Sequence, residues 1–233
     1  MTRTLEITEQ TTLGELVTFF PAITPRLNAL QIDYCCQGDR SLQTAMQETG
    51  LAADFLNEIQ QAYQQYLTQE QTDVPVSESS DQELIDLILS VHHVPERALW
   101  KELDELVNKI LLVHFKHDPE RLLALHRCFS LLKMELEQHF AKEEKILFPA
   151  LRLETKSAAD LDKIKSLITE LEDEHDAAGQ LIKQIIELTG HFTPPDYACP
   201  TVKVVYAKLH ELVDDVFLHI AKENSVLFKR YTS

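Results

Sequence analysis

His139-Phe140-Ala141-Lys142-Glu143-Glu144-Lys145-Ile146-Leu147-Phe148 and His219-Ile220-Ala221-Lys222-Glu223-Asn224-Ser225-Val226-Leu227-Phe228 are two copies of one pattern. His, Glu, Leu and Phe hold the same offsets in both. On an α-helix, side chains at i and i+4 lie on one face about a turn apart. Each copy therefore sets an imidazole beside a carboxylate and then runs into an apolar Leu-Phe end. Neutral imidazole and carboxylate suit iron, manganese or zinc. A single pair at this spacing is most often two surface neighbours. Two copies in one short chain favour a metal site.

Around these copies the chain reads as all-α. The stretch Gln71 to Ser80 is polar, contains proline and lacks apolar periodicity, so it is expected to be a linker. It separates a small N-terminal unit (1–70) from a larger C-terminal one (81–233). In the small unit, Leu13, Leu16, Val17 and Phe20 have helical spacing, which Pro21 and Pro25 interrupt, and Leu42 to Leu67 carries two more short helices. So small a unit has a marginal core and is expected to lean on a partner subunit or on the larger domain. The larger unit reads as four long helices. The first runs from a Ser80/Asp81 cap to about His114, and the second from Asp118-Pro119 to near Pro149. The third spans Ser157 to Thr189 with Gly190 as its stop, and the fourth Pro200 to Arg230. Short connections between long amphipathic helices predict an up-down-up-down bundle.

The composition narrows the function. A formal net charge of −16 disfavours nucleic acid and anionic membrane as partners. No apolar run resembles a signal peptide or approaches a bilayer span. The four cysteines Cys35, Cys36, Cys128 and Cys199 make no disulfide framework in a chain of this size, so a cytoplasmic location is expected.

One shared site requires its residues to lie at one height in the bundle. His93 lies about as far before the expected end of the first helix as His139 lies after the start of the second. His175 and His219 match in the same way on the third and fourth helices. Each helix thus supplies an inward candidate: His93, His139 with Glu143, His175, and His219 with Glu223. Four histidines and two bridging glutamates can hold two metals. His114 would lie about 30 Å from His93 on a continuous helix and is expected to support a ligand or to be structural. His210 falls on the opposite helix face from His219, and His92, His117, His126 and His191 are expected at surfaces, loops or caps. Pro95, two residues after His93, is expected to kink the first helix or to mark a later start.

These residues resemble the RIC (repair of iron centres) family of YtfE/ScdA-like proteins, with a hemerythrin-like C-terminal domain. In the N-terminal unit the resemblance rests on Leu13-Gly14-Glu15, on Ile23 to Leu30, and on Asp33-Tyr34-Cys35-Cys36-Gln37-Gly38. In the C-terminal unit it rests on His93 with Arg97, His139-xxx-Glu143-Glu144, Glu174-His175-Asp176, Ala198-Cys199, Asp214-Asp215 and His219-xxx-Glu223-Asn224. The resemblance implies two non-haem iron ions per chain, oxo- and carboxylate-bridged, on His93, His139, Glu143, His175, His219 and Glu223. It implies repair of iron–sulfur clusters damaged by nitric oxide or peroxide through donated iron, in a homodimer, with nitric oxide or oxygen as small ligands. Glu135 and Glu174 match acidic positions that orient ligands or line an iron path. Cys35 and Cys36 are the expected reactive thiols, accepting a nitrosyl, relaying electrons or passing iron to a client. Cys199 is expected to be structural, and Cys128 core.

Two other functions fit the same residues: a di-iron enzyme that reduces nitric oxide or oxygen, and a hemerythrin-like gas carrier or sensor. An enzyme needs an electron supply, and no flavin or haem motif is visible. A carrier needs iron that stays in place, whereas two bridging carboxylates with four histidines make a more labile set. A sensor needs an output domain. These considerations favour repair over catalysis.

Overall fold

The computed structural model describes residues 4–52, 54–68 and 76–232. The expected linker falls partly on residues 71–75, outside the described residues; residues Val76–Glu78 form one 3₁₀ turn. Among the described residues every regular element is helical: α1 (Leu13–Phe19), α2 (Thr24–Ala29), α3 (Leu42–Thr49), α4 (Asp54–Leu67), α5 (Asp81–Ile88), α6 (Val94–His114), α7 (Pro119–Lys142), α8 (Phe148–Leu151), α9 (Ala158–Leu188), α10 (Pro200–Lys222) and α11 (Lys229–Thr232). The all-α expectation is met. No described helix is long and apolar enough to cross a membrane. The chain divides into two compact units, Leu87–Val216 and Met1–Asp86 with Phe217–Ser233.

In the unit Leu87–Val216 the helix starts are chemically explicit. Asp118 caps α7 by accepting from the Arg121 N–H, with Pro119 at the first helical position, where its missing N–H is harmless. Ser157 and Asp160 form a reciprocal capping box on α9. Gly190, at φ +55°, takes the left-handed turn after that helix. Side-chain pairs give the register. Asp104 meets Lys133, and Asn108 meets His126, so α6 and α7 run antiparallel. His139 meets Glu174 and Cys128 meets Gln184, so α7 and α9 do too. Glu102 meets Lys208 and His114 meets Cys199, which sets α10 antiparallel to α6. Each helix buries a stripe spaced alternately three and four residues apart. On α7 it is Leu122, Leu125, Phe129, Leu132, Leu136 and His139; on α9 it is Ile164, Ile168, Leu171, His175, Ala178, Ile182 and Ile185. The histidines thus occupy core positions of an otherwise apolar seam.

In the other unit, Thr12 and Glu15 form a capping box on α1. Leu13, Leu16, Leu27, Leu42 and Ile59 are fully buried, and so are Leu227 and Phe228 from the chain's last segment. Gly14 and Gly38 bring backbone so close to Ser225 that a Cβ on Gly14 would lie 2.4 Å from its Oγ. Asn224 Nδ2 donates to the Cys35 carbonyl at 3.0 Å, and Tyr34 meets Phe217 edge-on. The small core therefore gains apolar surface from residues 217–233.

Three π turns interrupt the long helices: Leu89–His93, Glu143–Leu147 and Glu223–Leu227. Two of them open on the glutamates of the repeated motif. The first explains Pro95. A proline cannot donate and crowds the carbonyl four residues back; the wider turn before it, closed by the Val94 N–H on the Leu89 carbonyl, opens that space. Pro149 follows the second in the same way. The helix therefore does not start late, and the π turn accommodates the Pro95 ring within it.

Candidate metal centre

In the unit Leu87–Val216, His93, His139, Glu143 and His175 come together, all almost wholly buried. His93 ends the first π turn, His139 lies in the last turn of α7, Glu143 opens the second π turn, and His175 sits midway along α9. One Glu143 oxygen lies 3.3 Å from His93 Nε2, and the other 3.4 Å from His139 Nε2. His175 Nε2 is 3.0 Å from His139 Nε2. The carboxylate thus spans two imidazoles, and a third imidazole adjoins one of them.

The outer nitrogens of two rings are held by acids. His93 Nδ1 donates to Glu144 at 2.8 Å, and Arg97 donates to the same oxygen at 2.6 Å. His139 Nδ1 donates to Glu174 at 2.9 Å, a group that Lys142 also pairs. A proton on Nδ1 leaves Nε2 with its lone pair directed inward, the tautomer a metal ligand requires. Burial raises the Glu144 carboxyl, yet the hydrogen bonds from Arg97 and His93 outweigh it and hold the group below the usual range. Glu174 is held low in the same way, by His139 and Lys142 against burial. Both acids are therefore charged acceptors at neutral pH.

Both Glu143 oxygens are buried and accept no hydrogen bond. Such a carboxylate in an apolar seam is strongly unfavourable unless a cation compensates it. Nitrogen and oxygen donors at these separations fit a divalent or trivalent first-row ion. In the other unit, His219 Nε2 and Glu223 Oε1 lie 3.2 Å apart, both buried. The second copy thus reproduces the His/Glu pair of the first.

The thiol pair lies in that same unit. Cys35 is buried, Cys36 is partly exposed, and their sulfurs are 3.6 Å apart without a bond. Asp33 accepts from the Cys36 N–H at 3.1 Å and faces the Cys35 sulfur at 3.4 Å. The Cys36 contact and burial push the Cys35 thiol well above its ordinary value, so Cys35 is protonated at neutral pH.

Other expectations divide. His114 pairs with Cys199, its Nε2 3.1 Å from the sulfur, and belongs to the C-terminal end of α6. The Val202 N–H and then His114 lower the Cys199 thiol to about 7. Cys128 is core, as expected. His210 is half-exposed and stacks on Phe192. His92 corrects its expectation: it is wholly buried, its Nδ1 3.0 Å from Asp215. An α-helical wheel puts His92 about 100° from His93, but the π turn brings both inward. The contact of Glu144 with His93 and the burial of Glu96 were also missed. The signal for Glu96 was its place in the core stripe His93, Glu96, Trp100, Leu103, Val107, Ile110.

Comparison with known proteins agrees with this arrangement. Residues 84–231 match the hemerythrin HHE cation binding domain, and residues 9–63 match ScdA_N, a domain of unknown function. The iron-sulfur cluster repair protein YtfE of Dickeya chrysanthemi is 35% identical over 94% of this chain and 95% of its own length. YtfE of Escherichia coli O1:K1 is 33% identical over 94% of each chain, and that of Escherichia fergusonii has the same identity and coverage. With both domains matched and nearly the whole length aligned, the chain belongs to the YtfE/ScdA-like family of hemerythrin-domain iron–sulfur cluster repair proteins.

Proposed function

We propose that this chain repairs damaged iron–sulfur clusters by donating iron held in its helical bundle. In this reading His93, His139, Glu143 and His175 hold two non-haem irons jointly with His219 and Glu223. Glu143 and Glu223 would supply the carboxylates of that oxo- and carboxylate-bridged centre. The observation that carries the reading is Glu143, whose two buried oxygens accept no hydrogen bond and face two different imidazoles. The repeated His-xxx-Glu motif supports the joint site, and so does the cation-binding family that spans residues 84–231. When bound, the irons supply ferrous ions for transfer and a site for nitric oxide or oxygen.

This chain's own residues hold that cargo reversibly. Glu144 and Glu174 orient the imidazoles, while Arg97 and Lys142 pair those acids and set how firmly the rings are held. Cys36 is the more accessible thiol beside Cys35, so it is the one to meet a client or a nitrosyl. The domain reading is retained as part of the proposal: a thiol-bearing N-terminal module through which two chains pair, and a C-terminal iron module, both in the cytoplasm. The lack of a flavin or haem motif in the sequence favours donation over turnover, and a di-iron enzyme that reduces nitric oxide or oxygen is the alternative reading.

The direct test is reactivation of a cluster-damaged dehydratase. Iron-loaded protein should restore activity faster than the same amount of free ferrous iron, and a Cys35→Ser/Cys36→Ser variant should keep its iron yet restore activity slowly. Equal rates for protein and free iron would remove the donor role.

A further inference from the structure

The chain contains three His-xxx-Glu pairs, and only two belong to the repeated motif. The third is His92 and Glu96. The π turn Leu89–His93 widens the helix by one residue, so two adjacent histidines both face inward, each 0% exposed. His93 goes to Glu143, whereas His92 turns to Asp215 of α10. Glu96 follows on α6 and is 1% exposed, an acid in a stripe that is otherwise apolar up to His114. His92, Glu96 and Asp215 each offer one ligand atom, and these atoms lie within 4.8 Å of one another. Around an ion with bonds of about 2.1 Å, ligand atoms lie no more than roughly 4 Å apart. Small side-chain adjustments would therefore seat one.

We propose that His92, Glu96 and Asp215 form a third, mononuclear divalent-cation site of ferrous character. One nitrogen and two carboxylates favour Fe²⁺ or Mn²⁺ over the all-oxygen preference of Ca²⁺ and Mg²⁺ and over thiolate-seeking ions. The Asp215 side chain is 29% exposed while the other two are buried, so the ion enters and leaves past Asp215. Because His92 adjoins His93 in the chain, an ion here stands at the threshold of the iron-holding residues. That use as a loading point rests on the iron-donor reading; the existence of the site does not.

The test uses full-length protein loaded with its tight iron and freed of excess metal. Iron is counted first, which checks by itself that the chain holds the irons the donor reading requires. The protein is then titrated with Mn²⁺, followed by electron paramagnetic resonance, and crystals soaked in Mn²⁺ are examined by anomalous scattering. One Mn²⁺ per chain should bind without displacing iron, with an anomalous peak among His92, Glu96 and Asp215. Glu96→Gln and Asp215→Asn should each weaken that binding by about tenfold or more and leave tight iron unchanged. The proposal is overturned if the wild type takes up no Mn²⁺ beyond its iron, or if Mn²⁺ binding survives both substitutions. It is also overturned if either substitution strips the tight iron, since the three residues would then serve the first centre.

Discussion

At the scale of single residues, Glu143 depends on its neighbours' protonation. Its oxygens face the Nε2 atoms of His93 and His139, and the acceptors Glu144 and Glu174 favour the Nδ1–H tautomer that directs those lone pairs inward. Replacing either acid by glutamine keeps the shape and removes the charge. Glu144→Gln and Glu174→Gln should each weaken iron binding about 10- to 100-fold, measured by chelator competition, with helix content unchanged. Unchanged affinity in both would mean that the acids serve only surface ion pairs. Cys199 offers a separate check. Its thiol is lowered to about 7 by the Val202 N–H and then by His114, so the thiolate dominates above that pH. The stabilisation it draws from those donors is present at higher pH and lost as the pH falls through about 7. Alkylation of Cys199 should follow a titration centred near pH 7, and His114→Phe should move the midpoint upward. A midpoint near the ordinary 9.0 would contradict the pairing. Residue identities at the site were legible because His139/Glu143 and His219/Glu223 repeat one pattern. His92 was not legible, because its burial depends on a π turn that helical periodicity does not encode.

At the scale of elements, caps and breakers made most boundaries readable. Asp118-Pro119, Ser157 and Gly190 mark helix ends where their chemistry requires them. The three π turns were hidden, since each leaves only one or two turns of helix on one side, too few to show the changed phase of the apolar stripe. Pro95 and Pro149 were the visible traces, each placed just after a π turn that makes room for its ring. Close packing around the third π turn yields a prediction. A Cβ on Gly14 would meet Ser225 Oγ at 2.4 Å and the Gly38 carbonyl at 3.2 Å. Gly14→Ala should therefore destabilise the chain by about 1–3 kcal/mol in thermal unfolding. Gly14→Ala combined with Ser225→Gly should recover part of that loss, because the clashing side chain is gone. Equal stability of Gly14→Ala and wild type would refute the close approach.

At the scale of the whole molecule, the all-α class and the long helices of the bundle followed from composition and spacing. What sequence spacing did not reveal is that residues 217–233 belong to the same compact unit as residues 1–86. That grouping arises from contacts such as Asn224 with the Cys35 carbonyl, which join residues 189 positions apart. Removing residues 1–80 should therefore expose Leu227 and Phe228 and lower the melting temperature, besides removing the thiols. A truncated chain that melts like the full one would contradict this packing. Iron should act in the opposite sense. A ligand at a thousand times its Kd stabilises the folded chain by about 4 kcal/mol, which for this length raises Tm on the order of 10 °C. The most direct measurement is the iron content of desalted wild-type, Glu143→Leu and Glu223→Leu proteins, read with the near-ultraviolet absorption of the oxidised forms. About two tightly held irons per wild-type chain are expected, with marked loss of iron and absorption in each variant. Full occupancy in both variants would contradict the assignment of the two glutamates as the heart of the site.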